Sequence, residues 1–253
     1  MYNQAIIEKE LRHIADTLVL KGSLVDCPGL VYGKTGIAIF FFHYVQHTGN
    51  ELYEDYAMDL IGEMQSQIHN NSPANYESGL AGIGVGMDYL TGNHFLSADN
   101  DFFEDIDKRM YRAVMYDPWP DFSLYNGLTG YGRYWLMRLR RQALLEQARE
   151  CLSHIAACIE EKFSDIPAKD KTDVYCFLHD WQDISGNMTR MYQSSRYFNY
   201  TPPDATVVAL EQIPDLDMEK PPVNMGLLTG YAGEGMLRLN VLEPTNTLWM
   251  NLL

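Results

Sequence analysis

A short glycine motif recurs through the chain at nearly regular intervals. Its second glycine falls at Gly36, Gly82, Gly130, Gly186 and Gly230, in steps of 44 to 56 residues. A period of this length accommodates one antiparallel helix pair with its two connections, so the repetition constrains the architecture more than any single segment does. The copies are Gly33-Lys-Thr-Gly36, Gly79-Leu-Ala-Gly82, Gly127-Leu-Thr-Gly130, the degenerate Asp183-Ile-Ser-Gly186 and Leu227-Leu-Thr-Gly230.

Two kinds of segment alternate with the motifs. After each motif the chain is apolar nearly all round, which is typical of a helix buried on every side. These inner segments are residues 37–45, 83–90, 131–139 and 236–242. Before each motif, apolar residues recur at three- and four-residue steps among charged ones, as in an amphipathic surface helix. These outer segments are residues 2–20, 51–68, 102–115 and 141–163.

The predicted fold is all-α, with about five outer and inner helix pairs in one α/α toroid domain spanning residues 1–253. Glycines at the start of each inner helix let the loop turn tightly and let neighbouring backbones approach. A closed ring has no exposed ends to cap, which favours a toroid over a solenoid. Two segments depart from the pattern. Residues 164–181 are long and polar, and residues 195–222 carry five prolines, with only a short candidate at 205–212 for the fifth outer helix.

Composition limits the classes of function. The 34 acidic and 19 basic residues give a formal charge of −15, so the chain should repel nucleic-acid phosphates. Hydrophobic residues at 46% and charged residues at 21% indicate a globular chain. The sequence shows no secretory signal, no run of ~18 apolar residues and too few cysteines for a disulfide scaffold. We therefore expect a soluble, cytoplasmic protein with no membrane span and no nucleic-acid partner.

The motifs resemble those of the lanthionine synthetase C-like (LanC-like) family. The resemblance rests on the opening Gly29-Leu-Val-Tyr-Gly33, on the segment that starts at Glu51-Leu-Tyr-Glu-Asp-Tyr-Ala, and on the closing Gly226-Leu-Leu-Thr-Gly230 with the short tail after it. It implies an α/α toroid, here with five helix pairs where the family usually has seven. It also implies modification or binding of a ribosomally synthesised peptide, by thioether (lanthionine-type) chemistry. The implied partner is a peptide substrate or a peptide-modifying enzyme.

The family's zinc site does not map onto this sequence. The resemblance implies a zinc ion that activates a substrate thiol, held by a cysteine in a Trp-Cys-Tyr-Gly-like motif and by an adjacent Cys-His-Gly pair. No Cys-His dipeptide occurs in the chain, and only Val174-Tyr-Cys176-Phe echoes the first motif. No cofactor is therefore predicted, and Cys176 is the one candidate for a ligand of the family's zinc site. Two alternatives stay open, a lanthionine cyclase with a rebuilt site and a zinc-free binding partner of another modifying enzyme.

The candidate site residues cluster in the segment Cys176-Phe-Leu-His-Asp-Trp181. This segment precedes the degenerate motif at Gly186, where the mouth of a ring is expected. His179 beside Asp180 could act as acid or base in catalysis, or could simply satisfy a loop. The candidates for binding substrate at the mouth are Cys176, Trp181, Arg133 and Arg190.

A second possible metal site lies in the predicted helix at 141–163. Cys151, His154 and Cys158 share one helix face there and could hold zinc together with Cys176 and His179. Their apolar neighbours favour small buried core residues instead.

Two further classes of function remain open. One is a carbohydrate-active α/α-toroid enzyme, which needs two carboxylates in one cavity. The other is a non-catalytic helical-repeat scaffold. The candidate carboxylates for the first are Asp88, Asp121, Asp180 and Glu234.

Overall fold

The computed structural model describes residues 4–97, 100–117, 121–142, 145–185, 216, 222, 224–244 and 248–253. All regular structure in this part of the chain is helical. Its α-helices are α1 (Gln4–Lys21), α2 (Lys34–Thr48), α3 (Glu51–Ser66), α4 (Leu80–Gly92), α5 (Asn100–Met115), α6 (Leu128–Arg141), α7 (Glu146–Lys162), α8 (Lys171–Ser185) and α9 (Tyr231–Leu242). Short 3₁₀ helices lie at Gly22–Leu24, Phe163–Asp165 and Leu248–Leu252. None of the helices in these ranges is long and apolar enough to cross a membrane.

The predicted alternation of outer and inner helices is confirmed. Helices α2, α6 and α9 follow their motifs and bury most of their side chains. Helices α1, α3 and α7 bury one face only, because their apolar residues recur with the helical period. The outer helix α3 packs on α2, and α7 packs on α6. The all-α fold class is therefore confirmed.

Helix α8 departs from the sequence-based expectation. The sequence suggests a long polar segment at 164–181, whereas the structure has a helix there from Lys171 to Ser185. Val174, Leu178 and Trp181 are buried and recur at three- and four-residue steps, so they form an apolar stripe that the polar residues before Val174 and after Leu178 obscure in the sequence.

The fourth motif therefore lies before α8. The N–H of Val174 donates to Asp170 O at 3.1 Å, as the N–H of Ile37 donates to Gly33 O at 3.2 Å. The segment Asp170-Lys-Thr-Asp173 thus occupies the place of Gly33-Lys-Thr-Gly36, with an aspartate at each glycine position. Helix α8 is therefore the inner helix of this repeat, and it ends at Ser185, before the predicted degenerate motif. Gly186 itself and the helix candidate at 205–212 lie outside the described residues.

Seven-residue loops, here termed glycine loops, cap four inner helices. They span residues 27–33, 73–79, 121–127 and 224–230. The first N–H of each helix donates to the carbonyl oxygen seven residues earlier, which satisfies a backbone donor that a helix start otherwise leaves unpaired. The bonds are Lys34 to Cys27 (2.9 Å), Leu80 to Pro73 (2.9 Å), Leu128 to Asp121 (2.9 Å) and Tyr231 to Asn224 (3.1 Å).

The motif glycines are required by space and not by backbone torsion. The helix-capping Gly33 has an extended φ of −117°, which any residue can adopt. A Cβ on it, however, would lie 2.5 Å from the carbonyl oxygen of Cys27 in its own loop. A Cβ on Gly36 would be closer than 3.0 Å to the carbonyl oxygen of Leu30. The absence of a side chain at each glycine therefore leaves room for a carbonyl group of the loop that caps its helix.

The same contacts correct the position of the last motif. Helix α9 begins directly after Gly230, which therefore corresponds to the first glycine, Gly33, and not to the second. The second glycine is Gly233, where a Cβ would meet the carbonyl oxygen of Leu227. The last motif is thus Gly230-Tyr-Ala-Gly233, three residues later than predicted. The sequence Leu-Thr-Gly ends at the second glycine of the third motif, Gly130, but at the first glycine of the last motif, Gly230. The register of the last motif is therefore defined only by the backbone contacts.

Contacts divide the chain into two compact units. The first consists of Met1–Ser72, Gly86–Ser97 and Asp204–Leu253, and the second of Pro73–Val85 and Ala98–Pro203. The assignment of residues 1–253 to a single domain stays a prediction.

In the first unit the last repeat lies against the first. Helix α9 packs on α2 and on α1. The N–H groups of Leu227 and Leu228 donate to the carbonyl oxygen of Val31 at 2.8 and 3.3 Å. The ring of Phe40 on α2 occupies the place that a side chain at Gly235 on α9 would take. The two ends of the repeat array are therefore in direct contact.

In the second unit the same contacts join neighbouring repeats. The N–H groups of Tyr76 and Glu77 donate to the carbonyl oxygen of Tyr125, both at 3.0 Å. The ring of Tyr134 on α6 occupies the place of a side chain at Gly84 on α4. The last repeat is thus joined to the first as the second is joined to the third. An open solenoid keeps its terminal repeats apart, so these contacts agree with the α/α toroid fold class.

Candidate functional site

A pocket of about 270 Å³ lies at the N-terminal end of α9, within the first unit. Three segments line it: the last glycine loop, the first two turns of α9 and the C-terminal residues 248–253. Most of the lining is apolar, and Glu234 is its one charged side chain, so the pocket suits an apolar group next to a polar one. The lining residues are Leu227, Leu228, Thr229, Gly230, Gly233, Glu234, Leu237, Trp249, Met250 and Leu253.

Hydrogen bonds hold the lining segments in place. The indole N–H of Trp249 donates to Asn240 Oδ1 at 3.1 Å, and the Trp249 side chain is buried. In the glycine loop, Asn224 Oδ1 accepts from the N–H of Gly226 at 2.9 Å and Asn224 Nδ2 donates to Thr229 Oγ1 at 3.1 Å. A lining fixed in this way loses little conformational freedom when a ligand binds.

Glu234 belongs to a chain of three charged groups. Its Oε2 accepts a hydrogen bond from Arg238 Nη1, and Arg238 Nε donates to Glu10 Oε2 of α1 at 2.7 Å. The Arg238 side chain is only 1% exposed, whereas that of Glu234 is 31% exposed. Among the residues that the structure describes, these two carboxylates and one guanidinium carry an excess of one negative charge, and a charge acts strongly at short range in a partly buried site. Glu234 brings this charge to the pocket.

The predicted site segment 176–181 lies inside α8 and not in a loop before a motif. Trp181 packs in the core of the second unit. The carboxylate of Asp180 accepts from Arg140 Nη2 at 2.9 Å. His179 Nδ1 lies 3.5 Å from Asp183 Oδ2 and 3.8 Å from Asp180 Oδ1. The expectation of an irregular segment is therefore wrong, because the helix begins five residues before Cys176. The placement of these residues at the mouth of a ring stays a prediction. Catalysis by His179 and Asp180 stays a prediction.

Arg133 lies near the start of α6, three residues after its motif. Its guanidinium carbon is 5.5 Å from the centre of the Tyr76 ring, and the group donates a hydrogen bond to this tyrosine. It also faces Asp173, whose carboxyl pKa is raised by burial; Arg133 acts against this shift and Asp170 adds to it. Arg133 thus links a ring and a carboxylate of the second unit. Substrate binding by Arg133 stays a prediction, and Arg190 lies outside the described residues.

The cysteines and histidines do not assemble a zinc site in the part of the chain that the structure describes. No group of three or more His, Cys, Asp or Glu side chains there could hold a metal ion. Cys158 Sγ lies 3.6 Å from His154 Nε2, which gives two donors where tetrahedral zinc needs more. Burial raises the pKa of the Cys151 thiol to about 12 and also raises that of Cys158. Because zinc binds thiolate, the burial of these two thiols works against metal binding here.

The carboxylates considered for a carbohydrate-active enzyme have structural partners. Asp121 Oδ1 accepts from the N–H of Ser123 at 2.8 Å and so fixes its own glycine loop. Asp180 is paired with Arg140, and Glu234 with Arg238, while Asp88 lies on α4. The contacts of Asp121, Asp180 and Glu234 give each of these three carboxylates a role in stabilising the fold.

The repeated helix pairs, capped by glycine loops and joined from last to first, define a protein of the α/α-toroid class. The model of the family described as "Lanthionine synthetase C-like protein" matches residues 25–178, which is more than half of the chain. The chain therefore belongs to the LanC-like family, a family of peptide modification and peptide binding. No curated protein matches it significantly.

The sequence patterns missed most of the pocket. Leu237 was noted only within the inner segment 236–242, Trp249 and Met250 only within the short tail that carries the resemblance, and Glu234 only as one of four carboxylates. One signal was available: Trp249 lies in a short tail after the last helix, and so large a ring needs a surface to pack on. The surface it contacts follows only from the folded chain.

Proposed function

We propose that this LanC-like protein binds a ribosomally synthesised peptide and acts as a zinc-independent binding partner of a peptide-modifying enzyme. The observation that carries the proposal is the pocket at the start of α9. Small-molecule sites usually measure roughly 300–1,000 Å³. A pocket of about 270 Å³ is therefore better suited to one or two side chains of a longer ligand than to a whole cofactor.

The absence of a fitting zinc donor set supports binding over cyclisation. The described residues offer no group of three donors, and the sequence has no Cys-His dipeptide. We further propose a cytoplasmic location. It is supported by the four cysteines, Cys27, Cys151, Cys158 and Cys176, none of which forms a disulfide.

A display experiment tests peptide binding. A library of random 15-residue peptides linked to their messenger RNAs is selected on the immobilised protein. A Leu237→Trp variant, in which a larger side chain fills the pocket, is the comparison. The matched control is Leu52→Trp, because Leu52 on α3 is 74% exposed and lies outside the pocket lining. We expect enriched peptides that bind wild type and Leu52→Trp and lose binding to Leu237→Trp. Failure to enrich any binder of the wild-type protein would contradict the proposal.

Metal analysis tests the zinc-independent part. We expect less than stoichiometric zinc in protein purified without chelators and no change in metal content in Cys176→Ser. One zinc per chain, lost on replacement of Cys176, would contradict this part and restore a catalytic role.

A further inference from the structure

We propose that the pocket selects a peptide segment in which an apolar side chain stands next to a lysine. This inference rests on the proposed function and names the part of the peptide that the pocket recognises. The apolar side chain would lie against Leu227, Leu237 and Trp249, and the lysine ammonium would meet the carboxylate of Glu234.

The charge balance of the pocket supports a cationic neighbour. Glu10 is fully engaged, because its Oε1 accepts from the N–H of Leu216 at 2.9 Å and its Oε2 from Arg238 at 2.7 Å. Glu234 uses only Oε2 for Arg238, and its Oε1 accepts no hydrogen bond from any residue that the structure describes. One carboxylate oxygen of the pocket is therefore open to an external donor.

No other charged side chain on the lining competes for this position. Among the ten lining residues Glu234 alone carries a charged side chain, and the rest offer apolar surface, a threonine hydroxyl and backbone. A lysine ammonium would balance the excess negative charge that two carboxylates and one guanidinium leave in this cluster. A glutamate in the same place would add a like charge and be repelled.

The size of the preference follows from the hydrogen bond. A bond to a charged group corresponds to roughly a tenfold to hundredfold change in affinity. We use the lower end, because the Glu234 side chain is 31% exposed and water screens part of the attraction. The expected preference for lysine over an uncharged residue is therefore about tenfold at low salt.

Four synthetic peptides test the inference by isothermal titration calorimetry and ligand-observed NMR. The parent is N-acetyl-Gly-Ser-Leu-Lys-Ser-Gly-amide, and its relatives replace the lysine by glutamine, the lysine by glutamate, or the leucine by serine. With wild-type protein we expect the parent to bind about tenfold tighter than the glutamine peptide. We expect the glutamate and serine peptides to bind more weakly than the parent. The preference for lysine should shrink as salt rises from 0.05 to 0.5 M.

Protein variants assign the preference to Glu234. We expect Glu234→Gln to abolish the difference between the lysine and glutamine peptides, and Glu234→Asp to retain it. The matched control is Glu54→Gln, which removes a carboxylate from an exposed position on α3 and should leave the preference unchanged. Melting temperatures are measured in parallel to show whether Glu234→Gln still folds. If it does not fold, the lysine preference of Glu234→Asp tests the inference instead, and loss of that preference in a folded Glu234→Asp protein contradicts it.

Two outcomes overturn the inference. One is equal binding of the lysine and glutamine peptides to wild type, and the other is a lysine preference that survives in Glu234→Gln. Failure here and failure of the proposed function are distinguishable. If the display experiment yields binders that depend on the pocket but show no apolar-lysine pair, peptide binding stands and this specificity does not.

Discussion

Replacing Gly36 by alanine tests whether the glycine loops and the contact between the last and first repeats define the fold. A Cβ at this position would be closer than 3.0 Å to the carbonyl oxygen of Leu30, and 2.9 Å from the Cβ of Leu227 in the last glycine loop. The first obstacle is backbone, so no side-chain rotation relieves it. The second belongs to the loop that is hydrogen-bonded to Val31 at 2.8 Å.

The expected cost follows from three contributions. Overfilling a packed site costs about 1–3 kcal/mol, and the value here should be near the upper end because a carbonyl group must move. Shifting the Leu227 loop weakens a backbone hydrogen bond, which contributes about 1 kcal/mol. The better helix propensity of alanine offsets about 1 kcal/mol. The net expectation is a loss of about 2–3 kcal/mol in the free energy of unfolding.

The matched control is Gly62→Ala. Gly62 lies in α3 of the same unit, and nothing approaches its Cβ position within 4 Å. Alanine there should stabilise the protein by up to about 1 kcal/mol. Urea unfolding followed by circular dichroism gives both values. A Gly36→Ala protein as stable as wild type, beside a stabilised Gly62→Ala protein, would refute the reasoning. Gly233→Ala should resemble Gly36→Ala if the last motif has the register found here.

Three further predictions concern buried charge. Burial lowers the pKa of His43 to about 4, so as pH falls the unfolded chain binds a proton at this residue before the folded chain does. The free energy of unfolding should therefore fall by about 3 kcal/mol from pH 6.5 to pH 4. Urea unfolding of His43→Gln should lack this loss. Burial lowers the pKa of His47, but two flanking carboxylates raise it above its ordinary value overall. Its stabilising effect is present below pH 6.5 and lost as pH rises through the folded pKa. The stability difference between wild type and His47→Gln should therefore shrink from pH 6 to pH 9. Asp107→Asn, which leaves Arg138 buried without its carboxylate partner, should cost about 3–5 kcal/mol in urea unfolding at pH 7, whereas the exposed Asp105→Asn should cost less than about 1 kcal/mol.

Sequence periodicity predicted most helices because burial pattern is a local property. The apolar run after Gly36 and the spaced Leu60 and Met64 of α3 show their environment within a few turns. The pattern failed at α8, where the short apolar run from Val174 to Leu178 lies between the charged residues Asp173 and Asp180. There the place of the helix is visible only from its packing, since the ring of Phe177 lies where a side chain at Gly132 would be.

The candidate site was less predictable than the fold. Arg133 was singled out as a candidate for binding substrate, and the structure places it beside Tyr76 and Asp173, so its role in binding stays a prediction. The segment at 176–181 was expected at the end of a loop, because the fourth motif carries aspartates in place of glycines and was not recognised. Because the fourth motif was predicted after residues 176–181 and lies before them, this segment was expected before a helix and lies within one.

The sequence by itself determined the repeat, the all-α class, the family and the absence of a Cys-His pair. The tertiary structure alone decided the register of the last motif, the contact between the first and last repeats, and the pocket at Glu234. The physical reason is the range of the interactions. Helix formation and amphipathic burial are set by residues three or four apart, whereas Val31 and Leu227 meet only when the chain has folded back on itself.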